Sequence, residues 1–262
     1  MLTHLLLLTA CGGGDDGLLG SNGGVTPVTP PSTVTALSCL APRLLAIGHV
    51  HTLTYTSTQT STATGSAALS GTLVIATQVS GPALLDGLST VRVENTAVST
   101  LGGISSSTRS ADYQTLVGQK VLTYRLETLD VATGIVSSLR SNTPAPALDF
   151  GLVAGSSSSQ SYASTLVSAG VSGQLTSNES DTVQFIGLET LDLPAGRFVA
   201  TCHFRFTSIT SGIGEATDVW LAATLGLPVK KVNTRLAVGN TPGQTRTDLL
   251  SSGTVQGATL TP

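Results

Sequence analysis

Apolar and polar side chains alternate along many stretches of this chain, and the alternation predicts β-strands. The clearest stretch is residues 198–206, FVATCHFRF, where every second side chain from Phe198 onward is apolar or small, Cys202 among them. His203 and Arg205 fall on the opposite face, because successive side chains of a strand point to opposite sides. We therefore expect a half-buried strand with Cys202 in the core. Residues 121–129 show the same alternation, and further strands are predicted over residues 48–58, 70–79, 88–97, 112–117, 134–140, 181–193, 217–222, 229–238 and 245–259.

Turn signals separate these runs, and Pro or Gly interrupts most windows that are long enough for an amphipathic helix. Strands at this spacing favour antiparallel pairing. The 262 residues are enough to bury a sizeable core. The prediction is therefore an all-β, antiparallel fold with little helix, in a single domain over residues 37–262.

The pentapeptide LETLD occurs at residues 126–130 and again at 188–192, and each copy is followed by Gly at the same distance. Pro194 presets the first corner of a turn, and Gly196 can adopt the left-handed conformation that closes a three-residue hairpin loop with a bulge. Residues 132–134, ATG, suit the same loop. We therefore predict one kind of hairpin used twice, with internal duplication as the alternative.

The N-terminus, MLTHLLLLTACGGGDDG, places an apolar run directly before Thr9, Ala10 and Cys11. This arrangement resembles the lipobox of bacterial lipoprotein precursors, in which small residues precede the Cys that becomes lipidated. The resemblance implies a signal peptide over residues 1–10 and a lipid anchor on Cys11. It also implies attachment to the outer membrane, because Gly12 stands where enteric lipoproteins retained at the inner membrane carry Asp. A short apolar N-terminus with an incidental Cys is the alternative.

Residues 11–36 are rich in Gly and Pro and show no apolar period. Such a composition predicts a tether with an average reach of about 25 to 30 Å. No later stretch has the roughly 18 consecutive apolar residues of a transmembrane helix. We expect the tether to hold a folded domain that faces the periplasm or the cell surface.

Two further cysteines, Cys39 and Cys202, follow Cys11. In an oxidising compartment two such thiols can pair, and a disulfide would tie the start of the domain to a late strand. The alternative is that Cys202 is a buried free thiol that packs as a small apolar residue. The sequence leaves both alternatives open.

The region from residue 187 to residue 232 carries a wider resemblance. GLETLDLPAGRFVATCHFRF, followed by DVWLAATLGLPVKKV, is similar to the C-terminal signature of proteobacterial envelope lipoproteins of unknown function. Pro228 is inserted into the usual Leu-Val step, and Leu221 stands where an aromatic residue is commoner. The resemblance implies a curved sheet related to the half-barrel of lipoprotein-localisation factors, and it implies no activity. The matching residues, which we interpret as turn and core formers, are Glu189, Pro194, Ala195, Gly196, Phe198, Trp220, Gly226, Leu227, Val229 and Lys230.

The composition limits the classes of function. Only 10% of the residues are charged and the formal net charge is −3, whereas about 25% of residues are charged in ordinary domains. Such a chain lacks the basic surface that neutralises phosphates, so we expect no nucleic-acid partner. We expect no cofactor.

Candidate catalytic and metal-binding residues are few. The sequence has no Gly-x-Ser-x-Gly motif of the strand-turn-helix hydrolases, and we predict no catalytic residue. His49 and His51 are spaced so that both imidazoles would point the same way from a strand and could bind zinc or copper with a third ligand such as His203. Glu127 and Glu189 occupy equivalent repeat positions and could form an acid/base pair. The alternatives are ordinary strand histidines and solvated strand carboxylates.

Three functions are compatible with these features. The first is a lipid-anchored, non-catalytic protein that holds a lipid or other hydrophobic ligand, or docks on envelope machinery; a deep apolar groove would favour it. The second is a surface-exposed structural or adhesive β-protein, which exposed edge strands would favour. The third is a metal-dependent or hydrolytic enzyme that uses His49 and His51. We expect the first.

Replacing Cys11 with Ala should abolish labelling by palmitate and release the protein from membranes, because acyl chains on this Cys would supply the membrane affinity. Metabolic labelling followed by membrane fractionation checks this. Ser21→Ala, in the same tether, is the control and should keep the label. Persistent labelling of Cys11→Ala would refute the assignment of the lipobox.

Overall fold

The structure, a computed structural model, describes residues 34–210, 213–237 and 241–262. The predicted all-β, antiparallel architecture is confirmed: within these ranges, twelve long strands follow one another around a closed barrel. The short strands β7 and β14 pair with β5 and β13. The strands are β1 (Val50–Ser61), β2 (Leu69–Leu85), β3 (Leu88–Leu101), β4 (Ile104–Val117), β5 (Lys120–Leu129), β6 (Val136–Thr143), β7 (Ala147–Asp149), β8 (Ser157–Ser168), β9 (Leu175–Leu193), β10 (Gly196–Thr210), β11 (Ile213–Ala222), β12 (Pro228–Arg235), β13 (Gln244–Val255) and β14 (Ala258–Thr259).

The pairing of β1 with β13 closes the sheet. Residues 51–61 lie opposite residues 244–255, with one irregularity beside Tyr55. The half-barrel implied by the resemblance is therefore wrong. A half-barrel would leave β1 and β13 as edges with unpaired N–H and C=O groups, and pairing the two edges with each other satisfies those groups.

Strand β8 is the one long strand that the alternation does not predict. Its sequence, SSSQSYASTLVS, carries small polar residues on both faces, so the period of two is weak. In the structure its buried positions are Tyr162 and Ser164. Because the buried face of β8 is largely polar, alternation of apolar and polar residues does not predict this strand.

Two apolar clusters lie at the end of the barrel at which β1 begins, which we call the N-terminal end. The turns after β2, β4, β9 and β11 also lie at this end, because the strands alternate in direction; the opposite end is the distal end. The first cluster consists of Ala36, Cys39, Phe150, Val183, Phe185, Cys202, Phe204, Phe206 and Leu221, and the second of Leu53, Tyr55, Phe198, Trp220, Ala222, Leu227, Val229 and Leu250.

The chain between residues 34 and 45 closes the N-terminal end. It forms two short 3-10 helices, Ala36–Cys39 and Pro42–Leu45. A disulfide joins Cys39 to Cys202 on β10, with a Cα–Cα distance of 6.2 Å. The Ala36 N–H donates to Leu152 O (3.1 Å), so this segment is bound to the barrel from its start. Cys11, the signal peptide and most of the tether lie outside the described residues.

No helix in the described ranges is long and apolar enough to cross a membrane.

The two LETLD hairpins differ, so the prediction of a shared three-residue loop is wrong. After the first copy, Asp130 N–H donates to Ile135 O and Gly134 N–H donates to Asp130 O, both at 2.8 Å, around a six-residue loop. After the second copy, Leu193 pairs directly with Gly196, which leaves a two-residue loop. The Asp130 side chain accepts the Thr133 N–H at 2.8 Å and thereby stabilises the longer loop.

A bulge in β10 also changes the predicted faces of that strand. The register with β9 shifts between Phe198 and Thr201, and Ala200 has a positive φ of 59°. Phe198 therefore packs in the second apolar cluster, whereas Cys202 and Phe204 pack in the first. Strict alternation had placed all of them on one face.

Gly226→Ala should destabilise the protein by at least about 1 kcal/mol more than Gly103→Ala. Both glycines have positive φ, 68° and 80°, so both variants carry the same backbone penalty. A Cβ on Gly226 would lie 2.6 Å from Ala41 Cβ and 3.0 Å from Cys39 O, whereas nothing lies within 4 Å of one on Gly103. Chemical denaturation of the two variants measures the difference. Equal losses would contradict this packing of the N-terminal segment.

Candidate functional site

The outer face of strands β9–β11 carries a buried histidine. His203 on β10 is only 8% exposed. Its Nδ1 lies 2.6 Å from Glu189 Oε1 on β9, and its Nε2 lies 2.7 Å from Asp218 Oδ1 on β11. The imidazole stacks on the indole of Trp220, with the ring centroids 4.1 Å apart. Two carboxylates and an aromatic ring therefore fix the position of this histidine.

Trp220 contacts two further members of this network, Glu189 and Lys230. Its Nε1–H donates to Glu189 Oε2 at 2.8 Å, and Lys230 Nζ lies 3.9 Å from the centroid of the indole. Arg205 donates to both oxygens of Asp218, at 2.9 and 3.2 Å. Glu189, Trp220 and Lys230, which are distant in the sequence, are thus in physical contact.

The electrostatics of this network favour ionised carboxylates. Burial alone would raise the pKa of Glu189, but hydrogen bonds from Trp220 and His203 hold that pKa below its usual value. Burial likewise opposes ionisation of Asp218, whereas hydrogen bonds from His203 and Arg205 lower its pKa. Both imidazole nitrogens of His203 lie within hydrogen-bonding distance of a carboxylate oxygen.

The sequence pattern finds only part of this site. It singles out Glu189, Trp220 and Lys230, and it places His203 and Arg205 on one face of a strand. It misses Asp218 and the contacts of His203 with both carboxylates. One feature of the sequence could have indicated Asp218. Its i, i+2 spacing from Trp220 puts both side chains on one face of β11.

The remaining motif residues lie around this network as turn and core residues. Phe198 is 3% exposed in the second apolar cluster. Pro194 and Ala195 form the tip of the β9–β10 hairpin, next to Gly196, and the Ala195 N–H donates to Leu250 O on β13 at 3.0 Å. The hairpin tip thus reaches beyond the end of the β11–β12 hairpin and contacts β13.

His49 and His51 contact each other and do not meet His203. The Nε2 of His49 lies 3.2 Å from the Nδ1 of His51, and the strand registers place His51 and His203 on opposite faces of the sheet. Burial lowers the pKa of both, to about 4 for His51. Within the described ranges, no group of three or more His, Cys, Asp or Glu side chains could hold a metal ion.

Glu127 and Glu189 also stay apart. Glu127 on β5 accepts the Tyr113 hydroxyl at 3.0 Å and lies 3.5 Å from Arg92 Nη2. Strands β6 and β8 separate β5 from β9 in the sheet. The two equivalent carboxylates therefore belong to different networks and do not form an acid/base pair.

A groove of about 370 Å³ lies on the outside of strands β1–β4. At its rim, Arg109 Nη2 lies 3.1 Å from Glu94 Oε2. The lining combines short apolar and polar side chains and is open to solvent. It includes Val50, Thr52, Ala76, Gln78, Thr96 and Val131.

Two buried carboxyl groups lie on the inner face. Asp181 is 0% exposed and neither of its carboxylate oxygens has a hydrogen-bond partner; Asp112 is 6% exposed and has one such oxygen. Burial raises the pKa of Asp181 to about 8 and that of Asp112 to about 7. Both are therefore protonated below neutral pH, which removes the penalty of an unpaired buried charge.

No protein-family model matches the chain, and no curated protein matches it. Three solved structures are similar at low identity. A Bacteroides fragilis protein described as exported, with a YmcC-like fold, is 14% identical, with 80% of this chain and 96% of that chain covered and a TM-score of 0.36. A Parabacteroides distasonis protein described as a lipoprotein is 11% identical, with 85% and 100% covered and a TM-score of 0.38. A β-barrel-like domain of unknown function from Brucella abortus is 9% identical, with 80% and 99% covered and a TM-score of 0.34. Likenesses at this level do not assign the chain to a family.

Asp181→Asn should stabilise the protein relative to wild type by an amount that grows as the pH rises from about 4 to about 8 and is constant above. With its pKa raised to about 8, the folded carboxyl keeps a proton that the unfolded chain releases near pH 4, so its contribution to stability is lost across this window. Each pKa unit corresponds to about 1.4 kcal/mol.

Denaturant unfolding of both proteins at several pH values gives this difference. Asp192→Asn is the control, because Asp192 lies on the same strand with its side chain 79% exposed. A pH-independent difference for Asp181→Asn would contradict the buried, unpaired carboxyl.

Proposed function

We propose that this protein is a lipid-anchored, non-catalytic protein of the bacterial outer membrane that docks an envelope partner on the outside of its barrel. The observation that carries the proposal is the position of the groove between Val50 and Val131, which lies on the outer face and is open to solvent. The domain would face the periplasm or the cell surface.

The inner face of the barrel is less suited to a lipid cargo. At the N-terminal end the apolar side chains pack against one another. Towards the distal end the inner side chains are polar: Ser57 donates to Asp248 at 2.5 Å, and Tyr162 donates to Glu179 at 3.1 Å. Small-molecule sites commonly bury 70–90% or more of their ligand in a largely apolar lining. These contacts favour docking over the carriage of a hydrophobic ligand.

The outer groove suits an extended polypeptide segment. Short apolar side chains could lie against Val50, Ala76 and Val131, while polar groups of the segment could reach the ion pair of Glu94 and Arg109. An open groove with mixed lining is typical of docking sites, because the partner remains partly solvated.

The anchor rests on the N-terminal sequence. Cys11 after an apolar run, and the resemblance of residues 187–232 to envelope lipoproteins, support membrane attachment and an envelope location. The disulfide between Cys39 and Cys202 is compatible with an oxidising compartment.

The contacts of the histidines support a non-catalytic role. Both nitrogens of His203 are engaged by carboxylates, and His49 and His51 face each other. An adhesive role through strand addition is less favoured, because β1 and β13 pair with each other and close the sheet.

A photo-crosslinking amino acid at Thr96, in the groove, should capture one protein species of defined mass in intact cells. Thr58, an exposed residue on the outer face of β1, is the control position and should capture none. Gel analysis with mass spectrometry reads both. Capture of acyl lipid at Thr96 would favour a carrier instead, and equal or absent crosslinking at both positions would contradict docking in the groove.

A further inference from the structure

The turns at the N-terminal end of the barrel expose aliphatic side chains to solvent. Leu84, near the end of β2, is 79% exposed, and Val117, the last residue of β4, is 56% exposed. Val199, near the start of β10, is 69% exposed, and Ile47, just before β1, is 60% exposed. These four side chains lie at the same end of the barrel, on different turns.

The described chain also begins at this end. The Ala154 N–H donates to Val34 O at 2.9 Å, and Thr35 forms a bridge with Val153, so the first described residues are fixed against the barrel. Cys11 precedes Val34 by only 23 residues. The composition of that stretch predicts an average reach of about 25 to 30 Å. An anchor on Cys11 would therefore keep the N-terminal end close to the bilayer.

We propose that the N-terminal end of the barrel rests on the bilayer that holds the anchor, with Leu84, Val117, Val199 and Ile47 in contact with the lipid headgroup region. This inference rests on the proposed lipidation of Cys11. A tether of this length keeps the second contact at an effective concentration near the millimolar range, so a weak apolar contact is populated. Such a contact adds to the marginal membrane affinity of a small number of acyl chains.

Charged side chains at the N-terminal end are bound to other groups of the protein, so we expect the contact with lipid to be mainly apolar. Lys120 lies 3.0 Å from Asp149, and Arg197 lies 3.9 Å from Asp192. Because these two cations have carboxylate partners, and the exposed Arg43 donates to the backbone oxygen of Thr224 at 3.0 Å, we expect that the apolar contact does not require anionic headgroups. Vesicles of phosphatidylcholine should suffice, and added salt should have little effect.

The distal end provides matched control positions. Ile104, at the start of β4, is 77% exposed, and Leu175, at the start of β9, is 73% exposed. Both ends of the barrel therefore expose apolar side chains. The two ends differ because the first described residues, Val34 and Thr35, are bound at the N-terminal end.

The cysteine content allows a direct test. The chain has three cysteines; Cys11 would carry lipid, and Cys39 and Cys202 are paired, so an introduced Cys is the one thiol free for a dye. We would label Leu84→Cys, Val199→Cys, Ile104→Cys and Leu175→Cys in the lipidated full chain, reconstitute each in phosphatidylcholine vesicles, and measure quenching by lipid-attached nitroxides.

Quenching at positions 84 and 199 should exceed that at 104 and 175 by at least about twofold, because only the N-terminal end meets the headgroups. Equal quenching at both ends, or stronger quenching at the distal end, in protein that co-sediments with vesicles would overturn the inference while leaving the anchor intact. Protein that does not co-sediment would remove the anchor, and this inference with it.

Discussion

The antiparallel pairing of β1 with β13 is the contact on which the rest of the structure depends. It joins the two strands that would otherwise be edges, and it brings residues more than 180 positions apart into register, such as Ser57 with Asp248. Closure gives the sheet an inner and an outer face. His51 and the buried Asp181 lie inside, whereas His203 and the groove lie outside. The division between a packed interior and an exterior that could meet partners follows from this single pairing.

The N-terminal end is held by several different interactions. The disulfide of Cys39 and Cys202 ties the first residues to β10, and the tip of the β9–β10 hairpin contacts Leu250 on β13. Next to this tip, the carboxylate of Glu189 links β9 to His203 and Trp220. These contacts explain why a chain with few charged residues concentrates an acid, a histidine, a tryptophan and a lysine in one region: together they fix four neighbouring strands.

Sequence alternation predicts most strands because one face of each is apolar, and it fails where that face is polar, as in β8 around Ser164. It cannot predict closure, because alternation assigns faces and not the partner of the last strand. The repeated LETLD segments form different loops, since the carboxylate of Asp130 stabilises one and Pro194 shapes the other. The partners of His203 come from two strands, β9 and β11, and only the register of both strands with β10 brings them together.

Residue-resolved amide hydrogen exchange in β1 and β13, with β3 as the internal reference, tests closure most directly. A closed barrel predicts that consecutive amides over residues 51–59 of β1 and 244–249 of β13 are protected to the same degree as those of β3, because these residues pair with a strand on each side. Rapid exchange of every second amide along β1 and β13, with β3 protected, would show two free edges and contradict the closed barrel.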